Sequence, residues 1–122
     1  MESKKIAIIG GGAAGFFAAL SVKEHHPYHE VVLFEKTSKV LSKVKVSGGG
    51  RCNVTHDCSD IATLCEAYPR GSKKLKSLFY QFNTTDTITW FESRGVAIKA
   101  EKDGRMFPVS DQSQSIIDCL VT

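Results

Sequence analysis

The order of apolar and polar positions along the first 35 residues predicts a strand, a helix and a second strand. Residues 5–9 and 30–35 are short runs rich in isoleucine, valine and leucine, a pattern typical of strands buried on both faces of a parallel sheet. Between them, residues 13–26 carry apolar side chains at helical spacing, and Pro27 ends that helix. Three such elements in so short a span predict a parallel βαβ crossover.

Beyond residue 35 the pattern is less regular. Residues 36–46 mix lysines with valine and leucine and fit either a short helix or an extended segment. Residues 47–50 contain three consecutive glycines, which sustain neither a helix nor a strand and predict a loop. Helical spacing of apolar side chains returns in residues 72–82 and 86–94.

The last third of the chain carries the clearest turn and cap signals. Thr85 or Asp86 is the expected cap of the helix at 86–94, and Gly95 occupies its stop position. An Asp-Gly pair at 103–104 separates two short apolar runs, which predicts a β-hairpin near the C-terminal end. A final helix capped by residue 110 or 111 is expected to run to the end of the chain.

These elements define an α/β fold class in which helices flank a parallel sheet. A doubly wound sheet needs more than two parallel strands, and the predicted final helix leads to no further strand. We therefore expect residues 1–122 to be the N-terminal portion of a larger protein.

Composition and charge exclude several other classes. The chain is 42% hydrophobic and 24% charged, as ordinary globular proteins are. It has neither the run of about 20 apolar residues needed to cross a bilayer nor a signal-peptide pattern, so we expect a cytoplasmic protein without a membrane partner. The net charge of +3 comes partly from two basic stretches, interpreted mainly as solvated surface. Their density argues against a nucleic-acid partner.

The first chemical motif is Gly-Gly-Gly-Ala-Ala-Gly at residues 10–15, which matches G-x-G-x-x-G between the first strand and its helix. Gly10 permits the tight turn, Gly12 lets a pyrophosphate approach the backbone, and Gly15 lets the helix pack closely on the strand. Free N–H groups at the start of that helix favour negative charge. The motif predicts a dinucleotide site.

An acidic residue follows at the expected distance. Glu35 stands 20 residues after Gly15, at the predicted end of the second strand. A carboxylate there accepts hydrogen bonds from ribose hydroxyls and repels a 2′-phosphate. The sequence therefore disfavours NADP in this unit.

A second motif, Ser-Gly-Gly-Gly-Arg-Cys-Asn, occupies residues 47–53. Consecutive glycines expose backbone N–H groups that can cradle an anion or lie against a ring system. Arg51 offers a planar fork for a phosphate or carboxylate, and Asn53 offers donors and an acceptor for the edge of a heterocycle. Cys52 has no partner at redox-motif spacing and is interpreted as a packed or solvent-facing thiol.

Together these motifs resemble those of the HI0933-like (YhiN/BaiN-type) flavoproteins. The likeness also includes Lys36, Lys43 and the Gly-Arg-x-Phe-Pro segment at residues 104–108. It implies an FAD-binding, Rossmann-like domain that a second, mostly β domain interrupts, with that insert domain and the rest of the FAD domain absent here. Many members have Gly-Arg before the lysine that matches Lys43, whereas this chain has Leu41-Ser42.

The resemblance also implies cofactor-binding roles for matching residues. The FAD diphosphate would be held by Gly10, Gly12, Ala13, Ala14 and Gly15. The adenosine ribose would be held by Glu35, with Lys36 and Lys43 near the adenosine and phosphate end. The ribityl chain or isoalloxazine would lie beside Ser47, Gly48, Gly49, Gly50, Arg51, Cys52 and Asn53. Phe107 and Pro108 would pack near the flavin.

The leading interpretation is an FAD-dependent oxidoreductase that passes electrons from a nicotinamide nucleotide, NAD(P)H, through FAD to a small organic substrate. The sequence places no clear acid or base for this chemistry, so no catalytic residue is assigned, and no metal site is predicted. One alternative is an NAD-dependent dehydrogenase, in which the second glycine segment has no obvious task. Another is an RNA-binding flavoprotein involved in RNA modification, which only the basic stretches support. A last alternative is a fragment without activity of its own.

Overall fold

The structure, a computed structural model, describes residues 2–121. Its strands β1 to β5 are Lys5–Ile9, Glu30–Phe34, Thr55–His56, Ile98–Ala100 and Arg105–Pro108. Its helices α1 to α6 are Ala13–His25, Ser42–Val46, Ile61–Glu66, Ser72–Phe79, Thr84–Glu92 and Ser113–Val121. Between α2 and β3, residues Ser47–Gly50 form a 3-10 turn, named the glycine turn below.

The first half of the fold is the predicted parallel βαβ unit. Strands β1 and β2 pair in parallel, in a register that runs from Lys5 opposite Glu30 to Ile9 opposite Phe34. Helix α1 packs against both strands. It ends one residue earlier than predicted, and β2 ends before Glu35. The α/β, Rossmann-type class is confirmed.

The prediction that β1 and β2 are buried on both faces is wrong. In each strand, half-buried residues alternate with exposed ones. On the exposed face, Ile9 is 81% and Phe34 54% accessible. The physical reason is that this sheet has only two strands, and within residues 2–121 the helical layer lies on one side of it.

The second half contains a small antiparallel sheet in the order β3-β5-β4. The β4–β5 pair confirms the predicted hairpin. The third strand, β3, was not predicted because it has only two residues, and it pairs with β5 through Thr55 opposite Met106. The middle strand β5 is the buried one, since Met106, Phe107 and Pro108 are all buried.

The helices differ from prediction mainly at their ends. Helix α5 is capped by Asn83, which forms a capping box with Asp86, so the predicted caps Thr85 and Asp86 are wrong. Its predicted stop at Gly95 is confirmed by a left-handed φ of +86°. The short helix α3 was missed, α4 ends at residue 79 instead of 82, and α6 begins at 113. The expectation that α6 continues to residue 122 lies outside the described residues.

The main core lies where the helices meet the glycine turn. Its buried members are Leu41, Cys52, Phe91, Ile116 and Leu120. These residues come from the segments before α2, after the glycine turn, and from α5 and α6. The core therefore connects the glycine turn to helices α5 and α6. In residues 2–121, no helix is both long and apolar enough to span a membrane.

Candidate functional site

The three motif glycines of the first glycine loop have different surroundings. Gly10 has a φ of +106°, and its N–H donates to the Phe34 carbonyl at 2.7 Å. A Cβ added at Gly15 would lie 2.0 Å from the Gly10 carbonyl oxygen, so α1 can approach β1 only through a glycine. A Cβ at Gly12 would meet nothing within 4 Å. Gly10 and Gly15 therefore shape the loop, whereas Gly12 borders open space.

Glu35 ties this loop to the end of β2. One carboxylate oxygen accepts from the Gly11 N–H at 2.9 Å, and the other accepts from the N–H and hydroxyl of Thr37, both at 2.8 Å. The Gly11 N–H, followed by the Thr37 donors, lowers the pKa of Glu35 to about 2. The carboxylate is therefore ionised at neutral pH. Sequence reasoning missed Gly11 and Thr37, although a threonine two residues after an acid is a common turn signal.

The two loops at the carboxyl ends of β1 and β2 enclose a first cleft of about 960 Å³. Its lining includes six of the predicted site residues: Gly10, Gly12, Ala13, Glu35, Lys36 and Lys43. It also includes Phe34 and Lys39, which were not predicted. Three lysines therefore border the cleft together with one carboxylate, so the cleft favours an anionic ligand.

A second cleft of about 760 Å³ lies along α1 on the side of the glycine turn. Its lining also includes six predicted residues: Ala13, Ala14, Lys43, Ser47, Cys52 and Asn53. Its aromatic lining comes from Phe17, Phe82 and Phe91. The two clefts share Ala13, Lys43 and Val44 in their linings. They therefore adjoin at the N-terminus of α1.

The remaining predicted residues lie outside both clefts. Besides Gly15, these are Gly48, Gly49, Gly50 and Arg51. The glycine turn is not a regular helix, because Gly48 and Gly49 have left-handed φ values of +57° and +66°. The predicted loop is therefore a 3-10 turn by its hydrogen bonds, with non-helical backbone angles at its first two glycines.

Close contacts beneath the glycine turn explain its first glycine. A Cβ at Gly48 would lie 2.8 Å from the Asn53 backbone nitrogen and 3.0 Å from Cε1 of Phe107. Phe107 itself is completely buried and lines neither cleft. Pro108, which was also expected near the flavin, is buried in the same way. Phe107 therefore supports the turn from below.

Cys52 and Asn53 close the turn. The Cys52 N–H donates to the Ser47 carbonyl at 3.0 Å, and its φ of +62° is left-handed. Burial raises the pKa of the Cys52 thiol, which keeps it protonated at neutral pH and favours the interpretation as a packed thiol. The Asn53 side-chain amide bonds to the backbone of Met106 in β5. Within residues 2–121, no group of three or more metal-binding side chains is assembled.

A glycine loop between a parallel strand and its helix, an ionised acid after the second strand, and a cleft between the two define a Rossmann-type nucleotide-binding unit. Comparison with known proteins agrees with this class. The family described as HI0933-like protein, Rossmann domain, matches residues 4–122. The chain belongs to the HI0933-like family.

Individual relatives are similar over nearly the whole chain. A 3-dehydro-bile acid delta(4,6)-reductase of Clostridium scindens is 30% identical over 95% of this chain and 27% of its own length. A ribosomal RNA dihydrouridine synthase of Escherichia coli is 31% identical over 99% of this chain and 29% of its own length. A protein of the same name from Haemophilus influenzae is 27% identical over 93% and 27% of the respective lengths. The chain thus spans less than a third of these relatives, and the reductase among them places oxidoreductases in the family.

Proposed function

We propose that this chain binds FAD and forms part of an oxidoreductase. The observation that carries the proposal is the pair of clefts that adjoin at the N-terminus of α1. One cleft is bordered by lysines and an ionised acid, and the other is lined by aromatic side chains. A ligand with a diphosphate in its middle, a ribose at one end and a large flat ring at the other suits both.

The first cleft suits the adenosine diphosphate half of FAD. The diphosphate would lie at Gly12 and Ala13, where the helix N-terminus favours negative charge. Gly12 has no side chain to obstruct its approach. Lys36 and Lys43 border the same cleft and add positive charge. Glu35, ionised through its bonds to Gly11 and Thr37, would accept hydrogen bonds from the ribose hydroxyls.

The second cleft favours FAD over NAD. Its lining combines Phe17, Phe82 and Phe91 with the polar groups of Ser47 and Asn53, a mixture typical of pockets for flat heterocycles. In this assignment the segment around the glycine turn contacts the isoalloxazine side of the cofactor. An NAD-dependent dehydrogenase would leave that segment without a task.

Bound FAD supplies two-electron transfer, while the protein binds and orients it. We propose that the complete oxidoreductase takes electrons from NAD(P)H. The acceptor class to test first is a small molecule with an electron-poor carbon–carbon double bond, because the names of the bile-acid reductase and the dihydrouridine synthases both describe hydrogen addition to an unsaturated ring. NAD(P)H and one proton together supply the two hydrogens. RNA is the second candidate acceptor, which the synthase names support.

Titration of the chain with FAD, followed by the visible spectrum and by quenching of flavin fluorescence, tests the cofactor. Replacement of Glu35 by Gln is expected to weaken FAD binding on the order of tenfold, since a charged hydrogen-bond acceptor is lost. Glu30→Gln is the matched control, because Glu30 lies at the opposite end of β2 and its nearest ionic partner is Lys5 at 4.0 Å. A chain that does not bind FAD, or that binds NAD⁺ more tightly, contradicts the proposal.

A further inference from the structure

The side chain of Arg51 points from the glycine turn to two carboxylates in distant parts of the sequence. Its Nε donates to Asp111 at 2.8 Å, and its Nη2 donates to Glu101 at 2.5 Å. Glu101 follows β4, whereas Asp111 lies between β5 and α6. The guanidinium therefore joins the end of the turn to both ends of the β4–β5 hairpin.

The ring of Phe107 provides a third contact. The guanidinium carbon of Arg51 lies 3.8 Å from the centroid of that ring, close enough for a cation–π interaction. A Cβ added at Gly48 would lie 3.0 Å from Cε1 of the same ring. Phe107 thus lies close to Gly48, the first glycine of the glycine turn, and against Arg51, which directly follows the turn. One buried side chain therefore supports the turn and the arginine beside it.

A fourth residue stabilises this arrangement. The Lys99 ammonium donates to the second oxygen of Asp111 at 2.6 Å. Hydrogen bonds from Lys99 and then from Arg51 lower the pKa of Asp111, so the carboxylate stays charged under mildly acidic conditions. The two acids and two bases form a partly exposed network in which Arg51 bonds both acids.

We propose that Arg51 is a positioning residue that sets the shape of the glycine turn and does not itself contact the cofactor. Its side chain contacts Glu101, Asp111 and Phe107, and it lines neither cleft. Its planar fork bonds two carboxylates at once, which a lysine cannot reproduce. Arg51 affects FAD binding by positioning Cys52 and Asn53, which line the second cleft. That last step rests on the proposed FAD function.

Direct contact and positioning predict opposite results when the carboxylates are removed. If Arg51 contacted the FAD phosphates, neutralising Glu101 and Asp111 would free the guanidinium and tighten binding or leave it unchanged. If Arg51 acts by positioning, the same change would imitate the loss of Arg51. The variants needed are Arg51→Gln, Arg51→Lys and the double variant Glu101→Gln with Asp111→Asn. Asp103→Asn is the control, since Asp103 lies in the same hairpin and pairs with Arg105 at 2.7 Å.

The first measurement needs no ligand. In two-dimensional NMR spectra, the amide signals of the glycine turn are expected to shift similarly in Arg51→Gln and in the double variant, and less in Arg51→Lys. The amide signals of residues 10–15 should not shift in any of these variants. Asp103→Asn should shift neither these signals nor those of the glycine turn. Glycine-turn amides that do not move in the double variant would overturn the proposal. The double variant alone decides this arm if Arg51→Gln fails to fold.

The second measurement is FAD titration of the same variants. Arg51→Gln and the double variant are each expected to weaken FAD binding on the order of tenfold. Combining Arg51→Gln with the double variant should weaken binding no further than Arg51→Gln alone, because all three substitutions disrupt the same network. Unchanged or tighter binding by the double variant would establish direct contact and overturn the proposal. A wild-type chain that binds no FAD would refute the proposed function, whereas the amide shifts would still decide the positioning of the turn.

Discussion

Substitution of Gly15 by alanine tests how closely α1 must approach β1. The added Cβ would lie 2.0 Å from the Gly10 carbonyl oxygen and 3.5 Å from Cγ2 of Ile8. The first of these atoms belongs to the backbone of a loop that is itself held by a hydrogen bond from Gly10 to Phe34. Rotation of a side chain therefore cannot relieve the contact. Helix and strand must separate by about 1 Å or more to restore ordinary van der Waals distances.

Two opposing effects set the magnitude. Alanine is favoured over glycine inside a helix by about 1 kcal/mol, which alone would stabilise the variant. Overpacking costs about 1–3 kcal/mol and sometimes more, and a clash with backbone belongs at the upper end of that range. We expect Gly15→Ala to lower the free energy of unfolding by about 2 kcal/mol. For a domain near 100 residues this lowers Tm by about 10 °C.

Gly12→Ala is the matched comparison in the same loop. Gly12 has a φ of −91°, which any residue adopts, and a Cβ there meets nothing within 4 Å. Its stability should therefore stay within about 0.5 kcal/mol of wild type. Its FAD affinity should fall at least about tenfold, because the methyl group occupies the space assigned to the diphosphate. Thermal and urea unfolding monitored by circular dichroism, together with FAD titration, separate the two effects.

Two results would refute this reasoning. If Gly15→Ala unfolds at the wild-type temperature, the close approach of α1 to β1 does not require a glycine. If Gly12→Ala binds FAD as tightly as wild type, the diphosphate does not lie against that backbone. In the expected outcome, one glycine of the motif serves mainly the fold and the other mainly the ligand.

Three further predictions concern other contacts. Because the pKa of Glu35 is lowered from 4.5 to about 2 in the folded protein, its ionised form stabilises the fold above about pH 4.5, and this contribution is lost as the pH falls toward 2. Acid unfolding of Glu35→Gln should consequently depend less on pH in that interval, and a dependence identical to wild type would contradict the assignment. Gly48→Ala should destabilise by about 2–4 kcal/mol in urea unfolding, from backbone strain plus the contacts beneath it. Gly49→Ala, with a similar φ but nothing within 4 Å of its Cβ, should cost only about 1–2 kcal/mol, and equal losses for the two would show that strain alone acts. Asn83→Ala removes the capping box of α5 and should cost about 1 kcal/mol, measured as a lower Tm; an unchanged Tm would locate the cap elsewhere.

The local sequence determined the elements that carry the first motif. Strand β1, helix α1 and strand β2 follow from the spacing of neighbouring apolar residues and from glycine at the required turns. The hairpin follows from an Asp-Gly pair between two apolar runs. These features depend on residues close in sequence, so a pattern of a few residues specifies them.

Competition among neighbours limited the prediction of helix ends. Residues 83–86 read Asn-Thr-Thr-Asp, and each of these residue types can cap a helix. The structure selects Asn83 because its side chain accepts from the N–H groups of Thr85 and Asp86 while Asp86 accepts from the Asn83 N–H. With Asn83 as the cap, the N–H groups of Thr85 and Asp86 and the N–H group of the cap itself all have hydrogen-bond acceptors.

Tertiary structure alone decided the surroundings of the second motif. Arg51 lies 50 residues from Glu101 and 60 from Asp111, and no local pattern connects them. The requirement for glycine at position 48 likewise comes in part from Phe107, whose Cε1 would lie 3.0 Å from an added Cβ. The single covered face of β1 and β2 depends on which helices pack there. The sequence thus predicted which residues are candidates for a dinucleotide site, whereas long-range packing decided which of them line the clefts and which support the turn, because contacts between distant segments form only when the whole chain is folded.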